Sequence, residues 1–256
     1  LNFSMLLGQE IYHSQNKKNF QKNRYFPRAF EAGQAWDNMG FGTPQESTSS
    51  LSTPDRTASF FGQASYNYNH KYLLSVTMRA DGSTKFAPGN QWGYFPSVSG
   101  AWVLSQEKFM EDIKWIDQLK LRAAIGLAGN NRISDDMWRY LYTVNSTGGP
   151  GFGEATQFGE QWYGNQGGTT FANKNIKWET TLTRNLAADI TLFNGRLTVT
   201  PEIYWNTTKD LLYKSDIPSA TGYVSQMQNI GQVTNKGVEL TIFSVAGIMC
   251  FPQIFL

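Results

Sequence analysis

The sequence has few of the residues on which most catalytic and metal sites depend. Its 256 residues include one cysteine, Cys250, and two histidines. A single cysteine excludes an intramolecular disulfide and a cysteine-based metal cluster, so we expect Cys250 to be a free thiol. His70 lies in a short polar turn, where a solvated side chain is the usual occupant. No nucleophile–base constellation is visible, and we predict that the chain is not an enzyme and binds no cofactor or metal.

Charge and long apolar runs are also scarce. Charged residues make up 16% of the chain, against about 25% in ordinary soluble domains. The formal net charge of +2 gives no electrostatic reason to expect a nucleic-acid partner. No run of about 18 apolar residues is present, which excludes a transmembrane helix. Aromatic residues, by contrast, reach 14%.

Strict two-residue alternation is the strongest positive signal, and it is clearest in residues 60–81. Alternate residues point to opposite faces of a strand, so this period predicts extended structure. Two alternating runs are separated only by Asn69, His70 and Lys71, which predicts an antiparallel hairpin. Tyr66, Tyr68 and Tyr72 cluster on its apolar face beside the turn. Aromatic residues at one end of an apolar face are typical of a girdle at a membrane interface.

The same period recurs along the chain. Further strands are predicted at 2–12, 92–104, 119–127, 178–209 (a hairpin turning at Asn194-Gly195) and 235–242. We expect a bulge or irregular pairing at Pro96, because proline removes a ladder donor. Ser105–Ile116 predicts a short amphipathic turn or helix. Residues 14–55 are interpreted as a long polar connection with a short helix around Arg28–Asn38.

The connections between these strands alternate in length. Short turns at 69–71, 105–116 and 194–195 alternate with long segments at 14–55, 82–91, 130–175 and 210–231. Outer-membrane barrels have this asymmetry, with short periplasmic turns and long extracellular loops. The aromatic residues then predict two girdles. Trp102 and Phe193 join the three tyrosines at the periplasmic end, and Trp92, Tyr94 and Trp178 lie at the extracellular end. We predict an all-β antiparallel transmembrane β-barrel segment, about eight strands of an incomplete larger barrel with long extracellular loops.

Several sequence stretches resemble the SusC/RagA family of TonB-dependent outer-membrane transporters of Bacteroidetes. The matching stretches are Phe61-Gly62 with Tyr66-Asn67-Tyr68, Tyr72-Leu73-Leu74, Arg79-Ala80-Asp81-Gly82-Ser83, residues 92–99 (Trp-Gly-Tyr-Phe-Pro-Ser-Val-Ser), Leu119-Lys120-Leu121-Arg122 with Gly129-Asn130, Lys177-Trp178-Glu179-Thr180, and residues 235–240 (Asn-Lys-Gly-Val-Glu-Leu). The resemblance covers residues 1–242. It implies a 22-stranded barrel plugged by an N-terminal domain, localisation in the outer membrane of a Gram-negative bacterium, and import of oligosaccharides or peptides driven by TonB. It also implies a SusD-type surface lipoprotein as a lid.

Two departures from the family pattern bear on the domain organisation. The chain starts at Leu1 in strand-like sequence without a signal peptide, so we expect the plug and the TonB-contacting segment to precede it. Residues 243–256 are apolar without alternation, and we interpret them as a non-family tail left by a truncation or frame change. The family segment therefore spans residues 1–242. An open sheet in lipid leaves edge groups unpaired, so we expect no folding or transport by the chain alone.

Four aromatic residues in the predicted extracellular loops are candidates for contact with ligand or lid: Trp36, Trp138, Trp162 and Tyr163. Aromatic faces stack on sugar rings and bury large areas at little entropic cost. Packing between loops or against the lid is the alternative, and it is the more frequent role of such residues. Arg79, Asp81, Arg122 and Glu202 are predicted to line the lumen as a solvated ionic network.

A different class of function is open at this point: a soluble β-sandwich or barrel that binds or hydrolyses carbohydrate. Hydrolysis requires two carboxylates at a defined separation, and no such pair is evident. A soluble domain also has no need for aromatic residues at both ends of its apolar faces.

Overall fold

The computed structural model shows a chain built mainly of antiparallel β-strands. It describes residues 1–140, 143–145, 161–163 and 170–245. The strands are β1 (Asn2–Ser14), β2 (Lys17–Arg24), β3 (Thr43–Leu51), β4 (Asp55–Tyr68), β5 (Tyr72–Ser83), β6 (Trp92–Val103), β7 (Ile116–Asn130), β8 (Thr143–Asn145), β9 (Gln161–Tyr163), β10 (Thr170–Phe171), β11 (Glu179–Leu192), β12 (Leu197–Lys209), β13 (Leu212–Asp216), β14 (Ser225–Asn229) and β15 (Gln232–Ser244). The helices are α1 (Ala32–Asp37) and four 3-10 turns at Met39–Phe41, Leu104–Gln106, Lys108–Met110 and Ser219–Thr221. Within these ranges no helix has the length and apolarity needed to cross a membrane.

One large sheet dominates the fold. It has eight strands in the order β1-β4-β5-β6-β7-β11-β12-β15, which confirms the predicted strands and their number. Its strands are 12 to 15 residues long. That is more than the roughly 9–11 residues that a tilted strand needs to cross a bilayer. Two predicted tight turns are also confirmed, because Asn69, His70, Asn194 and Gly195 all have the positive φ angles of hairpin turns.

Residues 12–56 form a compact unit of their own, distinct from the unit of residues 1–11 and 57–256. The helix predicted within 28–38 is present as α1, but β2 and β3 were not predicted. These two strands pair with each other and are exposed on both faces. A strand without a buried face has no hydrophobic alternation, so its sequence looks like a polar loop.

The apolar face of the large sheet, called here the outer face, is exposed along its length. On β5 and β6, Leu74, Val76, Met78 and Val98 have 41–46% of their surface exposed. Further outward residues on five other strands are 43–73% exposed: Phe60, Leu121, Ile125, Leu186, Ile203, Val238, Leu240 and Ile242. Soluble proteins rarely expose apolar patches of this extent, and a β-sandwich would bury this face against a second sheet. The face therefore requires an apolar surrounding such as lipid.

Stacked aromatic rings border the outer face at both ends. The stacked or tilted pairs are Tyr68–Tyr72, Tyr72–Trp102 and Trp115–Phe193 beside the short turns, and Phe60–Trp92 beside the long loops, with ring centroids 6.1–6.5 Å apart. Trp178 was wrongly assigned to the second girdle. It is 8% exposed and packs against Phe86 and Phe95 rather than facing outward. It lies just before β11, where the two-residue period no longer applies.

Pro96 lies in β6 without a bulge. It pairs in register with Met78 of β5, and the ladder between β6 and β7 runs only from Ser97 to Val103. Proline thus lies beside the end of the second ladder, where its missing N–H interrupts no bond. The bulge or irregular pairing expected at Pro96 is not observed, because neither ladder of β6 shifts its register there and the ladder with β7 ends at Ser97.

Aromatic rings lie over glycines on neighbouring strands at two directly paired positions. Trp92 pairs with Gly82 on the outer face, and Tyr204 pairs with Gly237 on the opposite face. A Cβ atom added at Gly82 would lie 3.1 Å from the Trp92 ring, and one at Gly237 would lie 2.7 Å from the Tyr204 hydroxyl. The missing side chains let both rings lie flat against the sheet.

The last strand extends slightly beyond the predicted family segment. β15 ends at Ser244, whose partner on β12 is Leu197. Residues 246–256, including Cys250, lie outside the described residues. The proposed non-family tail at 243–256 stays a prediction.

Candidate functional site

The polar face of the large sheet, called here the inner face, carries the side chains that could bind a ligand through hydrogen bonds or charge. Its hydroxyl, amide and charged groups bond across neighbouring strands. The bonded cross-strand pairs are Ser65–Ser75 (3.3 Å), Gln63–Ser75 (3.2 Å), Asn185–Glu202 (3.0 Å), Arg122–Asp189 (2.9 Å) and Thr181–Thr208 (2.9 Å). Polar pairs of this kind stabilise a sheet and keep its surface hydrophilic.

Arg79 is the centre of the first charged group. Its Nε donates to both carboxylate oxygens of Asp81 at 2.8 and 2.9 Å, and one of its terminal nitrogens donates to Ser59 at 3.1 Å. The guanidinium also lies 3.6 Å from Glu10 and 5.7 Å from the ring centroid of Phe61. Ser59 and Asp81 are buried, so the arginine fixes two polar groups that would otherwise be costly to bury.

A second charged group joins three strands farther along the sheet. A terminal nitrogen of Arg122 on β7 donates to Asp189 on β11 at 2.9 Å, and Asn185 on β11 donates to Glu202 on β12 at 3.0 Å. The structure thus confirms that Arg79, Asp81, Arg122 and Glu202 share one polar face. Sequence reasoning did not select Asp189 and Asn185, although the period of 179–191 places both on that face.

Two hollows lie on the inner face, each of about 580 Å³. Ser75, Ser99, Lys120 and Arg122 are among the residues lining the first, and Thr183, Glu202, Tyr204 and Asn206 are among those lining the second. Such surfaces offer donors and acceptors to a hydrated solute but no nucleophile beside a base. In the described ranges no group of three or more His, Cys, Asp or Glu residues could hold a metal ion.

A buried apolar cluster holds the long connections together at the loop end of the sheet. It consists of Phe86, Phe95, Ile133, Ile176 and Trp178. The indole of Trp178 donates to the Gln91 carbonyl at 3.0 Å. This cluster ties the 84–91 connection to the segments at 131–138 and 172–178, so these loops have a fixed core.

The four predicted contact residues lie in different surroundings. Trp36 is on α1 and is 77% exposed. Trp138 packs against the buried apolar cluster, donates to the Thr84 carbonyl at 3.3 Å and has the Arg139 guanidinium 4.9 Å from its ring. Trp162 and Tyr163 belong to β9, and their side chains lie outside the described residues, as does the glycine-rich segment 148–153.

Glu107, in the turn between β6 and β7, accepts three hydrogen bonds. They come from the Tyr72 hydroxyl at 2.8 Å, the Trp102 indole at 3.2 Å and the Lys71 ammonium at 3.3 Å. These hydrogen bonds lower the pKa of the Glu107 carboxyl, and the bond from the Tyr72 hydroxyl is the largest cause. The carboxylate thus holds the turn to two residues of the aromatic girdle.

The lowered pKa of Glu107 predicts an acid-sensitive turn. A pKa below that of the unfolded chain adds stability that is present at neutral pH and lost as pH falls through the lowered value. We expect the protection factors of residues 104–116, which correct hydrogen exchange for the intrinsic rate at each pH, to fall in acid in the wild type. Glu107→Gln should have lower protection factors at neutral pH, and they should change little on acidification. An equal acid response of both proteins would exclude this role.

Comparison with known proteins shows similarity over nearly the whole chain. The profile of the TonB-dependent receptor-like β-barrel matches residues 4–249. The TonB-dependent receptor SusC of Bacteroides thetaiotaomicron is 35% identical over 247 residues, which are 94% of this chain and 23% of SusC. TonB-dependent receptor P3 of Formosa agariphila is 34% identical over 243 residues, 95% of this chain and 23% of P3. The chain thus spans about a quarter of the length of these relatives.

Solved structures show the same fold. The RagAB peptide transporter superposes with a TM-score of 0.78 at 23% identity, over 94% of this chain and 25% of that one. The copper transporter OprC superposes with a TM-score of 0.54 at 13% identity, over 96% of this chain and 34% of that one. At these identities the likeness establishes the fold and nothing further.

Proposed function

The chain belongs to the TonB-dependent receptor-like β-barrel family, and from this membership we propose that it forms a wall segment of a transporter that imports oligosaccharides or peptides. Members of the family are outer-membrane proteins of Gram-negative bacteria and are transporters rather than enzymes. The soluble carbohydrate-binding or hydrolysing domain considered as an alternative finds no support in the exposed apolar face or in the comparisons.

The observation that carries the proposal is the 35% identity to SusC over 94% of the chain. Two observations support the substrate class: the structural neighbour RagAB is a peptide transporter, and the sequence motifs resemble a family that also imports oligosaccharides. Either substrate is hydrated and rich in hydrogen-bonding groups. The inner face presents matching hydroxyl, amide and ionic groups.

In this proposal the ionic groups of the inner face keep the lumen wall hydrophilic and rigid. Each arginine already has a carboxylate partner, Asp81 for Arg79 and Asp189 for Arg122. Paired charges bind a passing solute less tightly than free charges, and a path for transport requires weak contacts.

We further propose the partners that the family pattern implies. A SusD-type surface lipoprotein would close the extracellular mouth, and TonB would act through a segment outside residues 1–256. Trp36, Trp138, Trp162 and Tyr163 remain the proposed contacts to ligand or lid. Of these, Trp36 is the one whose described side chain is free to contact a partner.

The proposal is tested by deleting the gene of the complete receptor in its host and measuring growth on defined oligosaccharides and on peptides. We expect loss of growth on one of these classes, restored by the wild-type gene and abolished again when TonB is inactivated. Unchanged uptake of both classes would refute the transport proposal.

Trp36→Ala in the complete receptor should lower import without affecting assembly. The side chain is 77% exposed, so its removal leaves no cavity, whereas it takes away an aromatic contact of about 1 kcal/mol or more. The measurement is the uptake rate at limiting substrate. Phe109→Ala removes another exposed ring, in the turn region, and serves as the control. Equal uptake by both variants would remove Trp36 from the proposed contacts.

A further inference from the structure

The outer face carries a row of charged and aromatic side chains where an apolar band is expected. The register of β11 and β12 on either side places Arg184 opposite Trp205, and Trp205 pairs with Lys236 on β15. The Arg184 guanidinium lies 6.0 Å from the Trp205 ring centroid. We call Arg184, Trp205 and Lys236 the basic row.

The alternation of each strand places the basic row on the outer face. Leu182 and Leu186 flank Arg184 on the outer face of β11, Ile203 precedes Trp205 on β12, and Val238 follows Lys236 on β15. On these three strands the outward positions carry three cations, Arg184, Lys209 and Lys236, and no carboxylate. The outward positions of β5 and β6 carry no charge.

The pairing register gives the depth of the row. Each residue of the basic row lies eight positions from the end of its strand beside the short turns. These strand ends are Leu192 on β11, Leu197 on β12 and Ser244 on β15. With a rise of about 3.3 Å per residue and a tilt of about 40°, this is about 20 Å above the turns. The apolar band of an outer-membrane barrel is about 25 Å tall, so the row lies near its extracellular edge. A cation is costly at the midplane and nearly free of cost at the interface.

The described residues supply no counter-charge for the row. No described carboxylate lies within 4.0 Å of Arg184 or Lys236, and neither has an ion pair of another kind. Arginine forms bidentate, charge-assisted bonds with phosphate, and a tryptophan at the interface orients the guanidinium while contacting acyl chains. Phosphate groups of the outer leaflet lie at this depth.

We propose that the basic row is a binding site for the phosphate of an outer-leaflet glycolipid. This inference rests on the proposed membrane orientation of the barrel. Arg184 and Lys236 bind the phosphate from either side of Trp205, whose ring covers the first carbons of the acyl chains. The lipid would thereby fix the height of these three strands in the membrane.

The test uses the complete receptor, purified and exchanged into phosphatidylcholine nanodiscs with and without about one-fifth diphosphorylated lipid A. Bound lipid A is counted by native mass spectrometry. We expect the wild type to retain lipid A and Arg184→Gln/Lys236→Gln to bind it roughly 10- to 30-fold more weakly. Arg184→Lys/Lys236→Arg keeps both charges and should restore retention. Lys174→Gln/Lys214→Gln removes the same charge from the 172–178 segment and from β13, outside the large sheet, and should retain lipid A like the wild type.

Heat-dependent gel mobility and substrate uptake are measured on every variant. A folded, active double variant that retains lipid A like the wild type would overturn the lipid site while leaving the transport proposal intact. Displacement of lipid A by millimolar inorganic phosphate would show a small-anion site and would also overturn it. Failure of every protein, wild type included, to insert in nanodiscs would contradict the barrel itself.

Discussion

Val76→Arg and Val98→Arg should each prevent assembly of the barrel, whereas Ser75→Arg should be tolerated. Val76 and Val98 are paired on the outer face and are 42% and 41% exposed. Both lie four positions from the stacked Tyr72–Trp102 pair, about 10 Å from the short-turn interface and close to the midplane of the band. A cation there costs about 2–4 kcal/mol.

Ser75 is the matched control, because it is adjacent to Val76 in sequence but points to the inner face. It lines an inner-face hollow of about 580 Å³, which has room for a longer side chain. Its loss removes contacts with Ser65 and Gln63 of about 1 kcal/mol each. Assembly is measured by heat-dependent gel mobility and by abundance in the outer membrane of cells expressing the complete receptor. Equal tolerance at all three positions would contradict the assignment of the two faces.

Phe86→Ala should release the long loops without unfolding the barrel wall. Phe86 has no exposed surface, and its ring centroid is 5.2 Å from that of Trp178. Removing a buried phenyl ring costs about 3–5 kcal/mol, because it leaves a cavity in addition to the lost transfer energy. The cost falls on the apolar cluster, while the backbone ladders of β5 and β6 remain.

Hydrogen exchange distinguishes local opening of the loops from unfolding of the barrel wall. The amide of Ser83 bonds to the Gln91 carbonyl at 3.0 Å, and the amide of Asn90 bonds to Ala87 at 2.9 Å. We expect their protection to fall by roughly 100-fold to 1,000-fold or more in Phe86→Ala, with little change for residues 72–80. Phe109→Ala removes a ring that is 62% exposed and should change neither. Loss of protection throughout the sheet would show that the cluster supports the wall as well.

The wall of the fold could be predicted from the sequence because it is governed by local rules. Lipid on one side and water on the other impose alternation on each strand, and the positive φ required at Asn69 or Asn194 restricts the residues of the turns. The same alternation predicted that Arg79 and Arg122 lie on the polar face. The hydrogen-bond partners of these arginines depend on how neighbouring strands are aligned, and the sequence of a single strand does not determine that alignment.

The loop end was less predictable. Phe86, Ile133 and Ile176 meet in one cluster although they are far apart in sequence, and no period connects them. Trp178 was misplaced for this reason, since a tryptophan beside a strand fits a girdle as well as a buried core. The exposed hairpin of β2 and β3 was missed because it buries neither face.

The flat ring over Gly237, on the inner face, has a consequence for the lumen of the proposed transporter. A tyrosine standing upright at 204 would project several ångströms toward the barrel axis, whereas over Gly237 it lies along the wall. In the proposed transporter Gly237 would thereby act as a spacer between the Tyr204 ring and the wall, and so increase the clearance for a solute. Divergence at Gly237 and at Tyr204 should therefore be correlated, with a larger residue at one position accompanied by a smaller one at the other. The size limit for imported molecules would then be set in part by residues that have no side chain.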